Sequence, residues 1–194
     1  MLDAALRVVD EHGFGAFSIE AVAREARLAK TVVYASFDGQ QDLLRALVDR
    51  ELDHAFADIA AAIPRPPYDD PGEVLRRALM GVLEAARERP ETWRLFVLPA
   101  DGMPPAARAN VERNHIRLLL QLEPLVAWGM DRLDLGALDA ELATHTLVAG
   151  AEQAIRMTLT DPEHFTPERI VKFVSALLAA YVDAREGTPG AKVR

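Results

Sequence analysis

The run from Gly13 to Leu44, GFGAFSIEAVAREARLAKTVVYASFDGQQDLL, constrains this chain more than any other part of it. Ser18 offers a hydroxyl that can cap a helix by accepting a hydrogen bond from a free backbone N–H of the first turn. Behind it Ile19, Val22, Ala23 and Ala26 recur at three- and four-residue steps, which sets them on one helical face. Arg27, Leu28 and Ala29 form a corner, and Lys30 to Ser36 form a second helix, with Val33 and Phe37 directed back toward Leu28 and Val22. Asp38 or Gly39 caps a third segment, with Gln41 at capping-box spacing from Asp38. Two helices joined by a turn of about three or four residues, the second carrying polar residues outward, make a helix-turn-helix.

An amphipathic helix precedes the motif: Leu2, Ala5, Leu6 and Val9 share a face, and Gly13 stops it. The three helices together predict a small core of Leu6, Val9, Phe14, Phe17, Ile19, Val22, Leu28, Val33 and Phe37. The fourth helix, about Gln40 to Ala62, is long enough, at about 1.5 Å per residue, to serve as a strut into a second domain. Pro64, Pro66, Pro67 and Pro71 then forbid helix, because proline lacks the N–H donor and fixes φ. Asp70-Pro71-Gly72-Glu73 restarts it with a cap, a first-position proline and a third-position glutamate. Further helices follow: one lined by Leu75, Ala78, Leu79, Val82, Leu83 and Ala86, a short one from Pro90, and a long one over Ala106 to Gly129, bent near Pro124. Two more span about Leu138 to Leu159 and Pro167, capped by Thr166, to Ala184.

The sequence predicts an all-α protein in two parts: a helix-turn-helix domain over 1–44 and a helical domain over 45–186, with a disordered tail over 187–194. Half of the 194 residues are hydrophobic, Ala and Leu dominate, and no stretch alternates for long with period two. Without cysteine there is neither a disulfide framework nor a thiolate metal site. No apolar run approaches the ~20 residues of a membrane span, and the N-terminus lacks a signal-peptide layout, so a cytoplasmic location is expected. The net charge is −8, and residues 1–54 carry ten acidic against six basic side chains. Between Ser18 and Phe37, however, Arg24, Arg27 and Lys30 outnumber Glu20 and Glu25, so the motif itself is locally basic and permits phosphate contact.

The segment resembles the N-terminal DNA-binding domain of the TetR family of bacterial transcriptional regulators (TetR/AcrR type). Gly13-Phe14, Phe17-Ser18-Ile19, Val22-Ala23, Ala26, Leu28, Val33-Tyr34, Phe37 and Leu43-Leu44 keep the family's spacing without a gap. The resemblance implies a homodimer on double-stranded DNA, repressing at a near-palindromic operator until a small-molecule effector binds the C-terminal domain. It implies no cofactor and no enzymatic activity. Many members carry a basic arm upstream of the first helix that is not part of this sequence. The candidate DNA contacts are Ser18, Lys30, Thr31, Val32, Tyr34 and Ser36. Lysine reaches phosphate or guanine, threonine reaches phosphate or base, and valine meets a thymine methyl. Tyr34 matches a family position whose hydroxyl meets phosphate, and backbone N–H groups at helix starts are further phosphate donors. Members often have Gly at Arg27, Ser or Thr at Ala29, larger side chains at Ala35 and Ser36, and Lys at Gln40, so this chain is expected to make fewer phosphate bonds.

The last two helices are apolar around much of their girth, as central or shared helices are. The resemblance implies that they pair with their copies through Leu147, Gly150, Ala151, Ala154, Phe173, Leu177 and Tyr181, where small residues permit close approach. For the effector site the sequence offers Trp93, Phe96, Met103, Asn114, His115, Leu118, Trp128, Gln153 and Met157, apolar groups interspersed with polar ones. Two alternatives stand beside this reading. One is a helical ligand-binding dimer with weak or lost DNA binding. The other is a di-metal bundle enzyme, since Glu51-x-x-His54 and Glu112-x-x-His115 have the spacing of carboxylate–histidine metal pairs.

Overall fold

The computed structural model describes residues 1–98, 102–135 and 138–186, with the side chains of 185 and 186 excepted. Among the described residues the regular structure is helical throughout. Helix α1 spans Leu2–His12, and a single 3-10 turn, Phe14–Ala16, leads into α2, Ile19–Glu25, and α3, Lys30–Tyr34. Then come α4, Gln40–Ala62, α5, Pro71–Glu88, and α6, Pro90–Val97. Helices α7, Pro105–Arg132, α8, Ala140–Thr160, and α9, Pro167–Glu186, complete the chain. Gly136 and the 187–194 tail lie outside the described residues.

The helix starts follow the capping chemistry of the sequence. Ser18 Oγ accepts from the Ala21 N–H at 3.1 Å, Asp70 Oδ1 from the Gly72 N–H at 2.9 Å, and Thr166 Oγ1 from the Arg169 N–H at 3.3 Å. Two details differ from expectation. At the start of α4 it is Asp42, not Gln41, that reaches back, its carboxylate accepting from the Asp38 N–H at 3.1 Å. Glu73 is drawn away from its cap by Arg76 and Arg77, which hold its carboxyl down at about 2. Helix α7 runs through Pro124 to Arg132 in one piece. Because the Ser18 cap satisfies one of the orphan donors of α2, Ser18→Ala is expected to cost about 1 kcal/mol, visible as a lower urea midpoint at unchanged slope.

The corner of the motif is a Schellman closure. The Leu28 N–H bonds the Ala23 carbonyl at 2.9 Å and the Arg27 N–H bonds the Arg24 carbonyl at 3.1 Å. That pattern requires a left-handed residue at the C′ position, usually glycine. Here it is Arg27, with φ 56. An L-residue in this conformation costs roughly 1–2 kcal/mol, which the two carbonyl bonds and the packing beneath offset. The same closure, with Asp134 at φ 54, ends α7.

Two cores form. The first gathers Ala5, Val8 and Val9 of α1 with Phe14, Phe17, Ile19, Val22, Val33, Leu43, Leu44, Leu47 and Val48. The stripe of α1 is turned slightly from the predicted one: Ala4 and Val8 are buried, while Leu2 and Leu6 pack at the edge. Leu28 is a second correction, because the Schellman corner leaves it 39% exposed instead of in the core. This core does not stop at the head, since Leu95 of α6, Met103 just before α7 and Ala107 in its first turn belong to it. The second core joins Leu79, Val82, Leu83 and Ala86 of α5 to Trp93, Val97, Ala154, Ile155, Ile170 and Val171. Phe96 touches both. Gly81 brings α5 against α4: a Cβ there would lie 2.8 Å from that of Ala62.

Candidate nucleic-acid interface

Val33 fixes the orientation of α3. Its side chain is wholly buried in the first core, and a helix this short then has only one way to face. Lys30, Thr31, Val32 and Tyr34 all stand exposed, with Tyr34 at 57%. Together they present a cation, two hydroxyls and a branched apolar group, a set suited to phosphate and to base edges in a major groove. Ser36 sits just beyond the helix and donates its hydroxyl to the Val32 carbonyl at 3.2 Å. Ser18 is half-buried and its oxygen serves the α2 cap, which leaves its own hydroxyl proton available to a phosphate.

The electrostatics of this face are more restrained than the sequence alone suggests. Lys30 Nζ donates to Glu20 Oε1 at 2.7 Å, linking the start of α3 to the start of α2. That bond holds the Glu20 carboxyl below its ordinary value. Arg7 is similarly engaged by Glu25 at 2.7 Å. Arg24 and Arg27 remain exposed. Gln40 donates from Nε2 to the Phe17 carbonyl at 2.8 Å and so ties the start of α4 to the residue before the α2 cap. Glu20 and Gln40 were not among the residues expected here, and neither has a sequence signal: a surface Glu–Lys contact ten residues apart has no helical register to announce it.

Behind the face, buried polar bonds join the head to the body. Glu51 on α4 is 0% exposed and accepts from Thr92 Oγ1 of α6 at 2.6 Å and from Arg50 Nε at 2.7 Å. Arg50 Nη1 continues to Asp3 of α1 at 2.6 Å, and His54 Nδ1 approaches Glu51 to 3.5 Å. Asp58, also buried, takes Arg89 and the Trp93 indole N–H, the latter at 3.3 Å. Arg94 of α6 reaches Asp10 of α1 at 3.0 Å. Helix α6 is thereby bonded to both α1 and α4.

The residues offered for an effector site are dispersed. Met103 packs in the first core with residues of α1 to α4. Trp93 lies in the second core with its indole committed to Asp58. Asn114 Nδ2 donates to the Asn110 carbonyl at 3.0 Å. His115 Nδ1 is 3.1 Å from Glu152, and Trp128 meets Tyr68 at 5.2 Å between ring centres. Leu118 and Met157 are half-buried, and Gln153 is exposed. The carboxylate–histidine pairs do not come together either: Glu51 is occupied by Arg50 and Thr92, while His115 pairs across to α8. Among the described residues no group of three or more His, Cys, Asp or Glu gathers.

A broad apolar face runs over α8 and α9. Leu142, Leu147, Phe173, Leu177 and Tyr181 are exposed, Phe173 at 68% and Leu177 at 62%. A Cβ at Gly150 would meet nothing within 4 Å. Ala154 does not belong to this face: it is buried in the second core, because the α8 positions Ala151, Ala154, Ile155 and Thr158 turn toward α5 and α6. Ala151 sits at the boundary, partly buried.

The arrangement is an all-α one, a helix-turn-helix head with an exposed α3 carried on a larger helical body. Residues 1–47 match the family model described as bacterial regulatory proteins, tetR family. A TetR-like transcriptional regulator from Rhodococcus sp. RHA1 is 26% identical, with 91% of this chain and 90% of that one superposing at a TM-score of 0.73. The regulator FadR from Bacillus subtilis in complex with stearoyl-CoA is 16% identical over 91% and 95%, TM-score 0.68. A TetR/AcrR-family regulator from Thermobifida fusca YX-ER1 is 23% identical over 91% and 93%, TM-score 0.63. No curated protein matches the chain by sequence. Residues 1–47 thus match the tetR-family model, and the chain as a whole has the fold of the TetR-like regulator from Rhodococcus. The family and these relatives are transcriptional regulators, not enzymes. Among the described residues no helix is long and apolar enough to cross a membrane.

Proposed function

We propose that this chain is a homodimeric, sequence-specific DNA-binding regulator, a repressor that leaves a near-palindromic operator when a small organic molecule binds its helical body. The observation that carries the reading is α3 itself: Val33 locked in the core and Lys30, Thr31, Val32 and Tyr34 exposed beside it. A two-fold pair of such heads addresses half-sites about one helical turn, or a multiple of it, apart. The bonds from α6 to Asp10 and Glu51 give the body a grip on the head. An effector with different affinity for two placements of α6 would shift the spacing of the heads, which is all that regulation requires. Stearoyl-CoA, held by a relative of the same fold, is one probe for such an effect.

Selection of bound duplexes from a random pool at low salt tests the reading. The expected result is an enriched near-palindrome. Lys30→Ala should weaken binding to the enriched site, and Tyr34→Phe should weaken it without changing the salt slope. No enrichment from the folded wild-type chain would leave the ligand-binding dimer with lost DNA binding as the better account. The acidic excess of the head and the Lys30–Glu20 pair favour that second reading.

A further inference from the structure

We propose that Glu20 and Lys30 act as one unit that reads a C·G base pair in the major groove. The inference rests on the DNA-binding reading of α3 and goes beyond it to the base recognised. Glu20 is the second residue of α2 and Lys30 the first of α3, and their side chains meet at 2.7 Å on the exposed side of the motif. Both are more than half exposed, and exposed ion pairs contribute about 0–1 kcal/mol to a fold, so stability is a weak reason for the pairing. For general affinity the pairing is adverse. Binding to the duplex grows with the number of phosphates neutralised, and Glu20 both repels phosphate and cancels Lys30.

A carboxylate facing DNA is favoured in one circumstance, where the DNA offers a donor. In the major groove the donors are the amino groups of cytosine and adenine, and acidic side chains suit cytosine N4. Cytosine N4 lies beside guanine O6, its own hydrogen-bond partner at about 2.9 Å, with guanine N7 next to it. Lysine suits guanine O6 and N7. The C·G edge therefore presents a donor next to acceptors, at a spacing close to that of Glu20 Oε1 and Lys30 Nζ. An A·T edge fits less well. It also sets adenine N6 beside an acceptor, thymine O4, but without the second acceptor that guanine N7 supplies and with the thymine methyl next to O4. A neutral pair entering the groove contributes discrimination rather than attraction, which suits a head with ten acidic and six basic side chains over residues 1–54.

The test is duplex selection with the full-length chain, wild type beside Glu20→Ala and Glu20→Gln, followed by anisotropy titrations on single-base variants of the enriched site. In the wild-type site one position per half-site should be C·G, and changing that pair should weaken binding about tenfold. Glu20→Ala should weaken the preference at that position alone, Lys30 still favouring guanine, and leave the others enriched. Glu20→Gln should move its preference toward adenine, the base that glutamine reads in bidentate fashion. If both variants bind every duplex more tightly by one common factor and enrich an unchanged site, Glu20 only tempers phosphate attraction and the proposal is overturned. A folded wild-type chain that enriches nothing overturns the DNA reading and this proposal together, so the two failures are told apart by the wild-type result. Circular dichroism melts of all three chains should coincide, because Glu20 is exposed.

Discussion

Arg50→Ala is expected to destabilise the protein by about 3–5 kcal/mol, the cost of leaving a buried charge without its partner. Glu51 is fully buried on α4, and its two oxygens are shared between Arg50, bonding at 2.7 Å, and Thr92, donating at 2.6 Å. Removing the guanidinium leaves the carboxylate with the Thr92 hydroxyl and the half-exposed His54 ring at 3.5 Å. The same substitution frees Asp3, whose carboxyl Arg50 holds below the usual aspartate value chiefly through their hydrogen bond. A carboxyl depressed in the folded state contributes stability above its unfolded pKa of about 4 and loses it as pH falls through the folded value. The wild-type chain should therefore lose part of the α1–α4 tie on acidification below that pH, and Arg50→Ala should lack this component. Urea unfolding followed by helical circular dichroism measures the main effect. The control is Arg50→Met with Glu51→Leu, which removes both charges and is expected to recover most of the loss. A midpoint for Arg50→Ala within error of wild type would mean that Arg50 is not the partner that stabilises Glu51 in the fold.

That network also shows where the sequence could be read and where it could not. Helix starts were legible because a cap is local chemistry: Ser18, Asp70 and Thr166 each bond an N–H two or three residues away. Val33 was legible as an anchor from the helical period. Arg27 was legible as an awkward residue at a glycine position, and its φ of 56 bears this out. Leu28 was misjudged because period places a residue on a face but does not say where the chain turns away from that face. Ala154 was misplaced for a related reason, since its place depends on which surface of α8 meets which other helix, a long-range choice that hydrophobicity alone leaves open when several faces are apolar. Glu51 read only as half of a metal-like pair with His54, while its true partners lie next to it at Arg50 and 41 residues away at Thr92. Glu20 was invisible as a functional residue for the same reason, its partner being set by the angle between α2 and α3.

Phe173→Asp combined with Leu177→Asp is expected to convert a dimer into a folded 21.3 kDa monomer and to weaken operator binding by at least a hundredfold. Phe173, Leu177 and Tyr181 recur at four-residue steps along α9, one stripe on one side of the helix, and all three are exposed in the single chain. Leu142 and Leu147 extend the apolar face onto α8, beside the open surface of Gly150. Exposed apolar residues gathered along two helices mark an interaction surface. Burying a Phe or Leu side chain is worth about 1.5–3 kcal/mol, and a two-fold interface buries each residue twice, so two aspartates per chain introduce four desolvated charges at the seam. The fold within each chain should survive, since these side chains contribute little to either core: helical circular dichroism and melting of the monomer should stay close to those of the wild-type subunit. DNA binding should not survive. A monomer holds one α3 and one half-site, and the second half-site, which a dimer engages at the high effective concentration set by its rigid frame, is lost. Sedimentation of the wild-type chain at micromolar concentration comes first. A wild-type species of 21 kDa alone would remove the dimer, and with it the reason for the operator to be palindromic.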